Sequence, residues 1–255
     1  MKKLMLWIGG VLSLFASEGA ELFDTHCASC HSYYIPMSKV IENAEQNNTI
    51  LHLKAPTLNQ LSFGVRLNVG DRKADEESQR MEVEEFIATY IASPEREKSV
   101  IPQELTHFYQ DMPSMQDLLD EDQIEALSTY IFDYGEDMIQ KHSAKIHTYE
   151  EAVKLAKEQN KIIMIRGVLP FCKWCIKMDR EVMVEPEVRD ALDKGFVVVK
   201  TNVVTEKLPL GMKSLGTPSF YFINSDGVTI IDQLNGYGNK KEFLELLKGI
   251  QSKAK

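Results

Sequence analysis

The spacing of apolar residues divides this chain into two regions with different predicted secondary structure. Before about residue 140, apolar positions recur at helical spacing, as Ile124, Leu127 and Ile131 do after the helix-starting residue Asp120. After residue 140, helical patterns alternate with short apolar runs that are typical of strands. The pattern therefore predicts two domains, an all-α domain followed by an α/β domain.

The second region shows an ordered series of predicted elements. A capping box from Thr148 to Glu151 starts its first helix, which ends near Asn160. The other predicted elements are a strand at 162–165, a helix from Cys172 to about Met183, strands at 196–201, 219–223 and 229–234, and a closing helix at 239–250. The polar stretch from Gly135 to His147 reads as a connector between the two regions.

The first residues have the pattern of a secretory signal peptide. Lys2 and Lys3 form a charged start, and the apolar run from Leu4 to Ala16 follows before several small residues. This run is shorter than the roughly 20 residues that a membrane-spanning helix needs. We therefore expect cleavage near Ala16 and a soluble periplasmic protein without a transmembrane segment.

Charge separates the same two regions. Residues 17–140 carry 8 basic and 24 acidic residues, a net charge of −16, whereas residues 141–255 carry 19 basic and 14 acidic residues, a net charge of +5. An acidic domain of this kind is unsuited to nucleic acid or to an anionic membrane surface. We therefore predict a signal peptide at 1–16 and domains at 17–140 and 141–255. The charged run at 71–80 reads as a solvated insertion before a helix at 84–92.

Candidate chemistry is concentrated in two C-x-x-C pairs. The first is the stretch C-A-S-C-H at residues 27–31, the spacing at which c-type haem is attached. Cys27 and Cys30 would each bind one vinyl group of a single covalent haem, and His31 would be an axial ligand of its iron. The alternatives are an accidental match or half of a zinc site, although no second cysteine pair with suitably spaced histidines accompanies it.

The residues around this motif make the first region similar to class I cytochromes c. Gly19 and Phe23 lie where that family packs a small residue and an aromatic ring against its C-terminal helix. The A-P-T-L segment at 55–58 resembles the family's loop whose proline carbonyl binds the proximal imidazole. The resemblance implies a hydrogen bond from His31 to Pro56 that fixes the orientation of the ring.

The same resemblance implies a methionine as the sixth ligand of the iron. The family places it shortly before the C-terminal helix, which here begins near Asp120. Family spacing favours Met112 and leaves Met115 as the second choice. The alternative is that either methionine only fills the core.

The second pair, Cys172 and Cys175, resembles the active site of thioredoxins. The resemblance covers residues from about 145 to the end and includes the C-terminal domain of the reductase DsbD. It implies that Cys172 is the nucleophile, stabilised as a thiolate at a helix N-terminus, and that Cys175 is the resolving thiol. It also implies a cis peptide at Pro218 facing the pair, while Trp174 offers apolar surface to a polypeptide substrate.

Two residues depart from that family. The dipeptide between the cysteines is Lys-Trp, and Arg166 stands six residues before Cys172, where thioredoxins keep a buried carboxylate. An arginine cannot relay protons, although its charge can stabilise a thiolate. A thioredoxin fold whose cysteines only pack or bind metal is the alternative.

We therefore expect a periplasmic redox protein that combines a monohaem cytochrome c with a thiol:disulfide oxidoreductase. The expected partners are periplasmic redox proteins and a disulfide-containing protein substrate. A dithiol gives two electrons and one haem accepts one, which favours two separately working modules. The alternative is an electron-carrier cytochrome whose thioredoxin-like domain is a docking module without thiol catalysis.

Overall fold

The computed structural model describes residues 9–71, 73, 75–214 and 216–254 and divides into two compact units. The N-terminal unit contains the described residues up to Ile35 and those from Lys39 to Asp137. The C-terminal unit contains residues 36–38 and the described residues from Met138 onward. Within the described ranges, no helix is long and apolar enough to cross a membrane.

All regular secondary structure in the described part of the N-terminal unit is helical. Its helices are α1 (Gly9–His26), α2 (Met37–Glu45), α3 (Leu58–Asn68), α4 (Glu76–Ala92), α5 (Gln103–Thr106) and α6 (Glu121–His142), of which α2 begins and α6 ends in residues assigned to the C-terminal unit. Residues 1–8 of the predicted signal peptide lie outside the described residues, and the cleavage site expected near Ala16 falls within α1.

Helices α1 and α6 contact each other through the residues that the sequence singles out. Gly19 is buried so closely against α6 that an added Cβ would lie 2.2 Å from the carbonyl oxygen of Ala126. Phe23 is fully buried, and its ring centroid is 5.9 Å from that of Tyr130. Asp120 caps α6 as predicted, because its carboxylate accepts a hydrogen bond from the Gln123 amide at 2.9 Å.

One prediction about this unit is wrong, and another holds only in part. The stretch from Gly135 to His147 is not a polar connector, because α6 continues to His142 and the Gly135 amide donates to Ser62 Oγ of α3 at 2.8 Å. Most described residues of the charged run at 71–80 are exposed, as predicted for a solvated segment, but the second half of the run belongs to α4, where Asp75 is the N-cap and Arg80 forms an ion pair with Asp133 at 2.5 Å. Helix α4 therefore begins before the helix predicted at 84–92, and α6 continues past Gly135.

The C-terminal unit has a five-stranded sheet with helices on both faces. Its strands are β1 (Ile146–His147), β2 (Ile162–Val168), β3 (Phe196–Asn202), β4 (Ser219–Ile223) and β5 (Ile230–Asn235), in the order β1-β3-β2-β4-β5. Its helices are α7 (Tyr149–Gln159), α8 (Lys173–Glu181), α9 (Pro186–Gly195) and α10 (Lys240–Lys253). The first three strands are parallel to one another, and β4 and β5 are antiparallel to their neighbours.

Alternate residues of β2 supply the two cores of this unit. Ile162 and Met164 face the larger core with Met178 of α8, whereas Ile163 and Ile165 face a smaller core with Ala152 of α7. Arg166 follows Met164 at the same period of two, so its side chain lies on the α8 face. The sequence predicts every element of this sheet except β1, and it misses α9.

Candidate functional sites

The first site lies at the C-terminal end of α1. Helix α1 ends at His26, and a hydrogen-bonded turn follows in which the His31 amide donates to the Cys27 carbonyl at 2.9 Å. Cys27 and Cys30 are both free thiols, with Cys30 exposed and Cys27 partly buried. Burial, with a contribution from Cys30, raises the pKa of the Cys27 thiol to about 11.

His31 makes the hydrogen bond that the sequence predicts. Its Nδ1 lies 2.7 Å from the carbonyl oxygen of Pro56, which requires the proton to be on Nδ1. The other nitrogen, Nε2, is then the one with a lone pair for a metal ion. Burial lowers the pKa of His31 despite the opposing effect of the Pro56 carbonyl, which favours the neutral imidazole that metals bind.

A cavity of about 800 Å³ adjoins this turn within the N-terminal unit. Its size falls in the range of roughly 300–1,000 Å³ that is usual for ligand pockets. Cys27, Cys30 and His31 line one part of it, and Met112 and Met115 also line it. The cavity therefore brings the predicted attachment residues and both candidate methionines to one pocket.

The lining of the cavity also contains polar residues, one of which has a buried oxygen without a hydrogen-bond partner. Among the described residues, Thr106 Oγ1 is buried without a hydrogen-bond partner, and Thr106 and Tyr109 both line the cavity. Arg96 lies beside them, donating to the carbonyl oxygens of Thr106 and Tyr109. The cavity is lined by apolar side chains together with a few polar ones, and the described residues contain no cluster of three metal-binding side chains.

The two methionines occupy comparable positions at the cavity. Both are partly buried in the segment between α5 and α6. The Met115 amide donates to the Ile91 carbonyl at 2.8 Å, and the neighbouring Ser114 hydroxyl donates to Ala92 at 2.6 Å. The geometry thus does not separate Met112 from Met115 as a ligand.

The second site lies at the N-terminal end of α8. Cys172 is the N-cap residue, and its Sγ accepts a hydrogen bond from the Cys175 amide at 3.1 Å. Cys172 is half-buried and forms a disulfide with Cys175, which is 2% exposed. An unpaired helix N-terminus stabilises negative charge, so this position favours a thiolate at Cys172 after reduction.

Residues from other elements complete the surroundings of this pair. The Thr217–Pro218 peptide is cis, and the Thr217 carbonyl oxygen is 3.5 Å from Cys172 Sγ. Trp174 is 51% exposed, and its ring centroid lies 5.6 Å from that of Tyr237. The disulfide thus sits between a cis-proline loop and an exposed aromatic surface.

Arg166 is buried below the helix that carries the dithiol. It is 2% exposed and forms an ion pair with Asp179 of α8, which also binds Lys200 Nζ of β3 at 3.1 Å. Burial acts to raise the pKa of Asp179, but Arg166 and Lys200 outweigh it and the net direction is downward. Asp179 is therefore ionised at neutral pH.

Sequence reasoning missed three residues of this second site. Asp179 lies four residues after Cys175, a spacing that places both on one face of α8 and could have identified it. Lys200 is paired with Arg166 between β3 and β2, a register that no local pattern predicts. Tyr237 reaches Trp174 from the loop after β5, across a distance in sequence that leaves no local signal.

Comparison with known proteins assigns the second region. The model of a family described as a thioredoxin-like domain matches residues 149–251. A solved structure titled DsbH oxidoreductase is 18% identical over 43% of this chain and 85% of its own, with a TM-score of 0.38. A thioredoxin from Thermus thermophilus is 28% identical over 44% of this chain and 90% of its own, with a TM-score of 0.39. The search of curated proteins gives no match.

Residues 149–251 thus match a thioredoxin-like domain, and they carry the Cys172–Cys175 disulfide. The family match leaves the preceding helical region unassigned. The resemblance of that region to class I cytochromes c stays a prediction, as does its haem.

Proposed function

We propose that this chain is a periplasmic thiol:disulfide oxidoreductase that also carries one covalently attached c-type haem. The observation that carries the thiol function is the position of Cys172 at the N-cap of α8, where the Cys175 amide donates to its sulfur. Thiol exchange needs an accessible nucleophilic thiol with a second thiol beside it, and the partly exposed Cys172 with the neighbouring Cys175 has this arrangement.

Written in the direction that reduces a substrate disulfide, the reaction would proceed in two reversible exchanges. The Cys172 thiolate attacks one sulfur of a substrate disulfide, forming a mixed disulfide and releasing one substrate thiolate, which takes up a proton. Cys175 then loses its proton and attacks the Cys172 sulfur, which restores the internal disulfide and releases the second substrate thiol. The substrate gains two electrons and two protons, and the domain loses the same number.

The cis-proline loop would hold the substrate during this reaction. The Thr217 backbone adjoins the Cys172 sulfur and can pair with an extended substrate strand, while Pro218 offers no competing amide donor. The exposed ring of Trp174 provides apolar contact beside the nucleophile. Disulfide-containing polypeptides are therefore the substrate class we propose.

The residues of the N-terminal cavity fit a c-type haem. Cys27 and Cys30 would hold it through thioether bonds, His31 would ligate its iron through Nε2, and Met112 would be the favoured second ligand from the protein. Such a haem supplies one-electron transfer when bound. The Pro56 carbonyl keeps the His31 ring in the orientation and tautomer that ligation needs.

The thiol function is tested by insulin reduction with the full chain. We expect Cys172→Ser to abolish reductase activity, whereas Cys27→Ser leaves it unchanged. Activity that survives Cys172→Ser would refute the assigned nucleophile. A wild-type protein that binds haem but reduces no disulfide would instead support the electron carrier with a docking domain.

The haem is tested after expression with a haem-attachment system. We expect haem that stays on the chain in a denaturing gel, and its loss in His31→Ala and in the double variant Cys27→Ser with Cys30→Ser. Met112→Ala should remove the weak near-infrared band of a methionine–ferric iron bond while the haem stays attached. Loss of that band in Met115→Ala alone would show that Met115 is the ligand.

A further inference from the structure

The thiol exchange proposed above leaves open whether the domain tends to oxidise or to reduce its substrates. Arg166 stands where a thioredoxin has a carboxylate, so the charge in the interface between β2 and α8 differs from the family pattern. Arg166, Asp179 and Lys200, here called the basic triad, are joined by two ion pairs in this interface. Two cations and one anion give the triad a net charge of +1.

The basic triad includes a residue of the helix that carries the dithiol and residues of the two strands beneath it. Asp179 is one helical turn after Cys175 on α8, and both side chains face the interior. Arg166 lies on the α8 face of β2 and contacts Asp179 directly. Other charged residues of α8 are the half-exposed Lys177, paired with Glu181, the exposed Lys173, and Arg180, which has partners of its own.

Arg166 also has unused hydrogen-bonding capacity. Its buried Nε has no acceptor among the described residues, although the rest of the guanidinium binds Asp179. An unpaired buried donor is costly, so it favours a state of the domain that provides negative charge nearby. In the oxidised domain described here, the disulfide carries no charge, whereas reduction creates a thiolate.

We propose that the basic triad makes this domain an oxidising one, because its net positive charge stabilises the reduced, thiolate-containing form of the Cys172–Cys175 pair. A stabilised reduced form means that the disulfide readily accepts electrons from substrate thiols. Arg166, Asp179 and Lys200 are positioning residues in this scheme, since none of them bonds to the substrate. The inference rests on the proposed thiol exchange and assigns its direction.

The charge of the triad can be changed in both directions through the same ion pair. Arg166→Gln lowers its net charge to zero, and Asp179→Asn raises it to +2. The measurement is the equilibrium of the full chain with reduced and oxidised glutathione, in which two glutathione thiols are oxidised as the protein disulfide becomes a dithiol. Acid quenching, alkylation and peptide mass spectrometry then follow Cys172 and Cys175 separately from Cys27 and Cys30.

We expect Arg166→Gln to lower the equilibrium constant for reduction by about tenfold, or about 30 mV, and Asp179→Asn to raise it by a similar factor. Arg166→Lys keeps the charge and should stay near wild type. Lys200→Gln should shift the constant in the same direction as Arg166→Gln. The shift should be smaller, because the Lys200 side chain is one-third exposed and its charge is partly screened by water. This last variant keeps the test valid if Arg166→Gln does not fold.

The results separate this inference from the proposed function. Both main variants break the same ion pair, so a purely structural role would move both constants in the same direction or leave both unchanged. If the wild-type protein exchanges with glutathione, either of these results in the variants would overturn the electrostatic role. The proposed thiol function would still stand. A wild-type protein that exchanges with no disulfide at all would overturn both.

Discussion

The two C-x-x-C pairs of this chain have identical spacing and lie at opposite ends of their helices. Cys27 directly follows α1, where the last backbone carbonyls make the helix end negative. Cys172 directly precedes α8, where unpaired amides make the helix end positive. The same two thiols thus meet opposite electrostatic fields.

That difference agrees with the two chemistries proposed for the pairs. At the first pair, burial and the nearby Cys30 raise the pKa of Cys27 to about 11, which keeps this thiol protonated at neutral pH. At the second pair, a backbone amide binds the sulfur of Cys172 and favours its thiolate. The first arrangement suits thiols that will be bonded once to a prosthetic group, and the second suits repeated exchange.

The largest consequence concerns alkylation of the reduced, haem-free protein. At pH 7 a thiol with a pKa of about 11 is ionised to about one part in ten thousand. At the N-cap of a helix, unpaired backbone amides lower the pKa of a thiol, so a larger fraction of it is ionised at pH 7, although its thiolate is intrinsically less nucleophilic. We therefore expect Cys172 to react with iodoacetamide about a hundredfold faster than Cys27.

The pH dependence sharpens this comparison. The rate for Cys27 should rise about tenfold per pH unit up to about pH 11, whereas the rate for Cys172 should level off at a lower pH. Rates are read for each cysteine by peptide mass spectrometry after timed quenching. Parallel profiles for the two cysteines would contradict the opposite roles of the two helix ends.

The next effect concerns the packing that places the first pair. An added methyl group at Gly19 would lie 2.2 Å from the Ala126 carbonyl oxygen and 2.6 Å from Tyr130 Cβ. Because one of these atoms is backbone, α1 must shift, and we expect Gly19→Ala to destabilise the N-terminal unit by about 2 kcal/mol. Gly249→Ala is the control, because nothing lies within 4 Å of its Cβ position in α10.

The control should be neutral or stabilising by about 0.5–1 kcal/mol, since alanine favours a helix over glycine. Urea unfolding followed by circular dichroism measures both variants. Equal effects of Gly19→Ala and Gly249→Ala would show that the close approach of α1 to α6 has no energetic weight.

Local signals in the sequence account for most of the C-terminal unit. The Thr148 capping box, the Asp226-Gly227 turn and the start of α8 at Cys172 all have side-chain signatures within a few residues, and the structure confirms them. Helix α9 was missed although Pro186 stands at its start, a position that proline favours. Strand β1 is too short to show an alternating pattern.

Tertiary contacts explain what local signals could not show. Helix α6 passes through Gly135 because a residue without a side chain lets α6 approach Ser62 and Phe63 of α3. From the sequence alone, Gly135 among polar residues indicates the end of a helix, because its contact with α3 is not visible there. The partner of Arg166 was hidden for a similar reason, because its ion pair joins β2 to α8.

The smallest effect concerns the aromatic surface that only the second pair has. The Tyr237 ring lies beside that of Trp174 in a tilted arrangement. Its hydroxyl donates a hydrogen bond to Glu181 at 2.8 Å, and Lys177 Nζ is 5.1 Å from the centroid of its ring. We expect Tyr237→Ala to raise the KM for a protein disulfide about two- to fivefold with little change in kcat, because Trp174 loses the ring that orders it. Tyr237→Phe keeps that ring and should change KM by less. It also removes a hydrogen bond that lowers the pKa of Glu181, which burial raises.

Steady-state kinetics with insulin and with a small aromatic disulfide compare the two variants, since the small substrate does not need the Trp174 surface. A fall in kcat with both substrates would instead place Tyr237 in the exchange chemistry itself.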